Sequence, residues 1–294
     1  MNQILSSAAL AATPLILAAM GGLINRRGGI VNIALEGKML LGAVFAVLVS
    51  ASTGSWVLGM VAAGVAGLVG GAVFTFCVTR LGANEILAGL GFNTLAAGLI
   101  GYALKDRGTY DPSGISVPPQ LHLPLIADIP VLGPIVSDKD PVTYLTWLLV
   151  PLLAWALVRT RAGLRLRAAG ASQDVAHALG LRGLAIRDAS TLVAGLLAGL
   201  GGGQLALALV GLFNTGMVAG RGFIAMAAFY FGRARPLPTA IGCALFALFD
   251  AIQIRLQQDG VPTQLVSTIP YLVVVGVLAF AALSARRPAK EATA

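Results

Sequence analysis

Gly28–Ala43 reads GGIVNIALEGKMLLGA, an apolar run that nevertheless carries Asn32, Glu36 and Lys38. Its EGKM resembles the tail of a phosphate-binding loop. That motif, G-x-x-x-x-G-K-[ST], needs Gly at 32 and Ser or Thr at 39, where the chain has Asn32 and Met39. The alternative is a membrane-crossing segment in which two charges and an amide have a purpose.

The rest of the chain favours the membrane. Apolar residues make up 57% of 294 positions, charged residues 11%, and mean hydropathy is +0.86. An average soluble domain is about 25% charged. Apolar runs of about twenty residues recur throughout, the length that spans roughly 30 Å of hydrocarbon at about 1.5 Å per residue. The expected fold is all-α: a polytopic transmembrane bundle of about eight to ten spans in one domain over 1–294. Spans are expected near 4–24, 30–50, 56–79, 84–104, 142–158, 187–211, 215–232, 237–256 and 264–284. The first lacks the positive region of a signal peptide and reads as an uncleaved spanning helix. Cys77 and Cys243 lie in apolar runs and imply no disulfide framework, and His122 and His177 lack ligand-spaced partners, so no metal site is expected.

Two longer segments separate the spans. Residues 105–141, rich in proline and polar groups, read as an extracytoplasmic loop or short cap; 159–187 is basic and amphipathic. With the basic segment inside and the spans alternating, fourteen Lys and Arg face inward and four (Lys105, Arg107, Lys139, Arg255) outward. Such a bias places the N-terminus outside and the C-terminus inside. It also explains the net charge of +8 without nucleic acid.

Candidate functional residues follow from the cost of polar groups in lipid. An ionised side chain at mid-bilayer costs about 2.5–3.5 kcal/mol on insertion scales, so it faces a cavity or a partner. Glu36 and Asn32 are pathway candidates on that ground, with a local cap as the plainer role for Glu36. Lys38, two residues on, cannot face Glu36 on a helix and instead snorkels or meets another helix. The second polar site is FNTGMVAGRGFIAMAAFYFG, Phe213–Gly232, with Asn214, Arg221 and Phe223. Its GRGFIAM loosely echoes GKMLLGA; glycine-interrupted segments at corresponding places in two halves point to a central path. Asn93, beside Phe92 for stacking, is a further pathway candidate, or else an interhelical hydrogen-bonding group. Gly67 with Gly71, Gly195 with Gly199 and Gly203, and Gly216 with Gly220 stand at helix-packing intervals. Leu166–Leu181, LRAAGASQDVAHALGL, reads as one short helical run, either a surface helix or a docking helix for a cytosolic partner.

GGIVNIALEGKMLLGA, GLRLRAAGASQDVAHALGL, AGLLAGLGGGQLAL and AGRGFIAMAAFYFGRARPLPTAIGCALFALFDAIQIRLQ, in that order, resemble the permease subunits of bacterial ABC importers. The resemblance covers nearly the whole chain. It is to the family that takes up branched-chain amino acids, simple sugars and nucleosides, and it is nearest to the nucleoside branch. It implies a multi-pass protein of the bacterial cytoplasmic (inner) membrane, paired with a second homologous permease. ATP and Mg would be bound by a separate ABC ATPase inside, and a periplasmic or lipoprotein binding protein would deliver substrate outside. The permease itself would be no enzyme and hold no cofactor. Leu166–Leu181 would be the coupling region, carrying Arg167, Gly170, Asp174, Ala176 and Gly180. The chain departs from the family pattern at Lys38, where an apolar residue such as Met is expected. Simple sugars or branched-chain amino acids are the alternative substrates. A secondary transporter using Glu36 and Arg221 for ion coupling is the alternative mechanism. No acid–base or metal constellation supports an intramembrane enzyme.

Overall fold

The computed structural model describes residues 2–105, 114–122, 124 and 132–258. The expected span at 264–284 lies outside them. Among the described residues eleven α-helices follow in order: α1 (Asn2–Arg27), α2 (Leu35–Thr53), α3 (Trp56–Thr75), α4 (Glu85–Ala103), α5 (Leu132–Val136), α6 (Pro141–Arg159), α7 (Arg161–Ala171), α8 (Gln173–Ala178), α9 (Gly183–Gln204), α10 (Arg221–Phe231) and α11 (Pro236–Gln258). α3 and α9 each run on into a π-helical end, Phe76–Arg80 and Leu205–Val210. Seven of these helices are long and apolar enough to cross a membrane.

Sequence punctuation explains the ends. Ser55 accepts from the Leu58 amide at the start of α3, and Asn84 accepts from the Ile86 and Leu87 amides at the start of α4. Asp140, followed by Pro141, caps α6, and Thr160 caps α7. Each side chain satisfies an amide that the first helical turn leaves without an intrahelical acceptor. Gly54 closes α2 in the left-handed conformation, φ 65°, where glycine carries no Cβ penalty.

Backbones of α2, α3 and α9 approach closely at the centre. A Cβ on Gly67 would fall on the Gly195 carbonyl, one on Gly42 on the Gly199 carbonyl, and one on Gly202 on the Met39 carbonyl. Only glycine permits that approach, as the spacing of Gly67, Gly195 and Gly199 anticipates. On the outer surface, Val57, Val61, Val65, Val69 and Val73 form an exposed stripe along α3. An apolar exterior of this kind suits hydrocarbon.

Three expectations need correction. The span at 215–232 is helical only over Arg221–Phe231, with turns through 215–220. Gly216 and Gly220 therefore pack no helices; no atom lies within 4 Å of a Cβ placed on Gly220, whose φ of 82° forms a turn. α2 begins at Leu35 rather than near 30. Leu166–Leu181 is not one helix, because Ser172 turns the chain between α7 and α8, its hydroxyl accepting from the Asp174 amide at 3.1 Å. Among the described residues, the loop before α6 holds the short α5 and one antiparallel bridge, Leu121 to Lys139.

Candidate translocation site

The segment between α1 and α2 leaves backbone groups that no helix satisfies, and side chains from elsewhere take them up. Glu85 Oε2 accepts from the Val31 amide at 2.7 Å. Asn93 donates to the Ile33 carbonyl at 3.0 Å and accepts from the Gly37 amide at 2.8 Å. Arg187 donates to the Gly29 carbonyl at 2.8 Å, and Asn32 Oδ1 accepts from the Ala34 amide at 3.1 Å. Irregular backbone at membrane depth survives only where protein or cavity water replaces the missing bonds. Asn93 is therefore a clamp on the broken segment, the hydrogen-bonding role that sequence left open.

Asn32 is 1% exposed and belongs to a buried chain. Its amide donates to Asn25 Oδ1 at 2.9 Å, and Asn25 donates to the Thr191 hydroxyl at 2.8 Å. Lys38, fully buried, donates to Asn32 Oδ1 at 3.1 Å. Its ammonium lies 4.3 Å from the centre of the Phe74 ring and 6.0 Å from that of Phe92. Lys38 thus meets other helices rather than snorkelling. Among the described residues no carboxylate pairs with it; ring faces and one amide oxygen hold the charge.

Glu36 reaches across to the second polar site. Its Oε1 accepts from the Gly220 amide at 2.8 Å and its Oε2 from the Gly222 amide at 2.7 Å. The carboxylate thereby caps α10, whose eleven residues rise only about 16 Å, half of the hydrocarbon core. Negative charge at a helix N-terminus is favourable because the free amides and the dipole both point to it. A Cβ on Gly222 would sit 2.5 Å from the Glu36 nitrogen, so glycine is required for this approach. Arg221, between the two glycines, turns to α11 and pairs with Asp250 at 3.0 Å, donating also to the Met217 carbonyl at 2.9 Å.

The predicted residues therefore divide. Asn32, Glu36, Phe92, Asn93 and Arg221 gather around the broken segment and the tip of α10. Asn214 does not join them: exposed, it accepts from the Gly216 amide at 2.9 Å and shapes a turn. Phe223 is 39% exposed on α10. Asp250, Glu85 and Asn25 join these hydrogen-bond networks, and the sequence reading passed over them. Asp250 was detectable, as an acid within the apolar run ALFALFDAIQI. A cavity of about 690 Å³ opens beside the Arg221–Asp250 pair, bounded by Ser7, Leu209, Val210 and Arg255. Volumes of about 300–1,000 Å³ suit small organic ligands.

The basic segment abuts the same machinery from its other side. A Cβ on Gly170 in α7 would fall on the Arg27 carbonyl and lie 3.0 Å from the Gly29 nitrogen. Ala176 in α8 is fully buried, while Arg167 and Asp174 are exposed. Gly180 turns the chain after α8 with φ 68°. Arg27 in turn donates to the Ala234 carbonyl at 2.8 Å, just past α10. One contact surface thus joins α7, the broken segment and the end of α10.

Seven apolar spans among the described residues, an irregular segment between α1 and α2 held by side chains of other helices, and a cavity beside the Arg221–Asp250 pair define a multi-pass integral membrane protein. A family model described as a branched-chain amino acid transport system permease component matches residues 4–278, and the chain belongs to that permease family. It is 32% identical to the nucleoside ABC transporter permease protein NupC of Lactococcus lactis, over 91% of this chain and 88% of that one. It is 34% identical to the guanosine ABC transporter permease protein NupQ of Bacillus subtilis, over 80% and 76%. It is 30% identical to a putative glucose ABC transporter permease protein, TsgC13, of Haloferax volcanii, over 95% and 92%. No solved structure matches.

Proposed function

We propose that this chain is the pathway-forming permease of an ATP-driven importer of nucleosides in a bacterial cytoplasmic membrane. ATP is hydrolysed by a separate ABC ATPase, and a binding protein delivers substrate from outside. A second homologous permease completes the pathway. The N-terminus faces outward, and α7 and α8 face the ATPase, the orientation that the basic residues favour. Two relatives named for nucleosides support the substrate; the Haloferax relative keeps simple sugars as the second reading.

One observation carries the mechanism: Gly170 of α7 rests directly on the Arg27–Gly29 turn. A push on α7 from the ATPase moves that turn and so the broken segment with Glu36, Asn32 and Lys38. The Glu36 cap and the Arg27–Ala234 bond pass the displacement to both ends of α10, next to the cavity. Coupling needs contacts that differ between two states, and a helix end held by one carboxylate provides such a contact. Arg167 and Asp174, exposed on this face, are the polar docking groups; buried Ala176 and the turn at Gly180 fix α8 in place.

The complex of both permeases, ATPase and binding protein is reconstituted in liposomes and offered uridine, guanosine, ribose and leucine. Nucleoside uptake is expected to require ATP and the ATPase, and to collapse in Gly170→Leu while the ATPase still binds. Uptake by the permease alone, driven by a proton or sodium gradient, would sink the proposal.

A further inference from the structure

The cavity beside α10 holds a carboxylate whose capacity to accept hydrogen bonds is largely unused. Asp250 receives one hydrogen bond, from Arg221 Nη2 to its Oδ2 at 3.0 Å, and among the described residues no other partner. A carboxylate offers about four lone-pair sites. Its side chain is 28% exposed, in the middle of a helix of membrane-spanning length. Hydrocarbon is a costly neighbour for such a group, so the exposure belongs to the cavity that Asp250 lines.

Arg221 is already committed to Asp250 and to the Met217 carbonyl. The pair is neutral as a unit and presents acceptors, not a free cation. Arg255, which also lines the cavity, offers a cation to a substrate carboxylate, but the ammonium of an amino acid zwitterion would need an unpaired acid, and Asp250 is already paired with Arg221. A vicinal diol needs only what is here: two acceptor positions on one carboxylate, held still by a guanidinium. Carboxylates bind ribose hydroxyls in this way in dinucleotide sites. We propose, resting on the nucleoside reading above, that Asp250 is the specificity-determining residue that receives the 2′,3′-diol of the ribose during passage, with Arg221 as its positioning residue.

Free sugars share the diol, so the test separates the two sources. Uptake of uridine, 2′-deoxyuridine, ribose and 2-deoxyribose is measured for the full reconstituted complex with wild-type permease and with Asp250→Asn. Taking the uridine-to-2′-deoxyuridine ratio for each permease, then comparing the two ratios, cancels the preference of the shared binding protein. The ratio is expected to fall about tenfold or more in the variant, the scale of a lost hydrogen bond to a charged acceptor. An unchanged ratio with uridine still carried overturns the diol site and leaves the nucleoside reading standing. Wild-type uptake of ribose without nucleosides overturns the nucleoside reading, and the ribose-to-2-deoxyribose ratio then tests Asp250 in the same way. Asp250→Glu keeps the pair with Arg221 but moves the carboxylate by one methylene. Should Asp250→Asn fail to assemble, a lowered ratio in Asp250→Glu supports the proposal and an unchanged one overturns it.

Discussion

Replacing Glu36 by Gln tests whether one carboxylate holds the tip of α10. The wild-type group accepts from the Gly220 and Gly222 amides at 2.8 and 2.7 Å, one on each oxygen. Glutamine keeps one acceptor and turns an NH₂ toward the other amide, donor against donor. A hydrogen bond to a charged group contributes about 1.5–3 kcal/mol, and the charge at a helix start adds about 0.3–1 kcal/mol. The joint between α2 and α10 should therefore weaken by about 2–4 kcal/mol, against α2–α3–α9 packing that the substitution does not touch. At about 1.4 kcal/mol per decade, that is about 30- to 700-fold more frequent opening. Hydrogen exchange on the complex in nanodiscs reads it directly, at the amides of residues 218–224. The amides of α3 should not change. If exchange at 218–224 stays within about threefold of wild type, the carboxylate does not hold this joint and the transmission argued above loses its last link.

Lys38→Met removes a buried charge that has ring faces and one amide oxygen but, among the described residues, no carboxylate. Its melting temperature should be unchanged or higher, since a well-packed apolar replacement for a buried charge is often neutral or stabilising by about 1–4 kcal/mol; a clear drop in a detergent melting assay would show that the ammonium itself is needed. Gly202→Ala should destabilise by about 1–3 kcal/mol, read in the same assay, because the new methyl lands on the Met39 carbonyl. In the loop before α6, the hydrogen bond with His122 holds the Asp138 carboxyl below its ordinary value. A depressed carboxylate pKa stabilises the fold above the unfolded value, about pH 4, and that contribution is lost as pH falls through the depressed value. Limited proteolysis near Leu121–Lys139 should accelerate only below about pH 4; a uniform rate from pH 2 to 6 would count against the pairing.

Long apolar runs were legible because length alone sets them: the expected 56–79 became Trp56–Arg80. α10 was not, since TGMVAG before it is apolar enough to extend a hydropathy run while its backbone forms turns. Nothing local to Glu36 shows that its cap lies 184 residues ahead. Sequence left Lys38 either snorkelling or meeting another helix because its cage comes from Phe74 and Phe92 on two other helices, a non-local fact. The break at Ser172 had a visible signal, a serine two residues before Asp174, obscured by the apolar residues on either side.

The shortness of α10 bears on how the protein is made. Eleven helical residues fall well below the roughly twenty that a bilayer accepts as an independent span. α10 reaches membrane depth only when its longer neighbours α9 and α11 carry it there. Glu36 is synthesised 184 and 186 residues before the two amides that receive its charge. Through most of biogenesis, then, the nascent chain carries an uncapped acid at the start of α2, and closure of the fold awaits the arrival of Gly222.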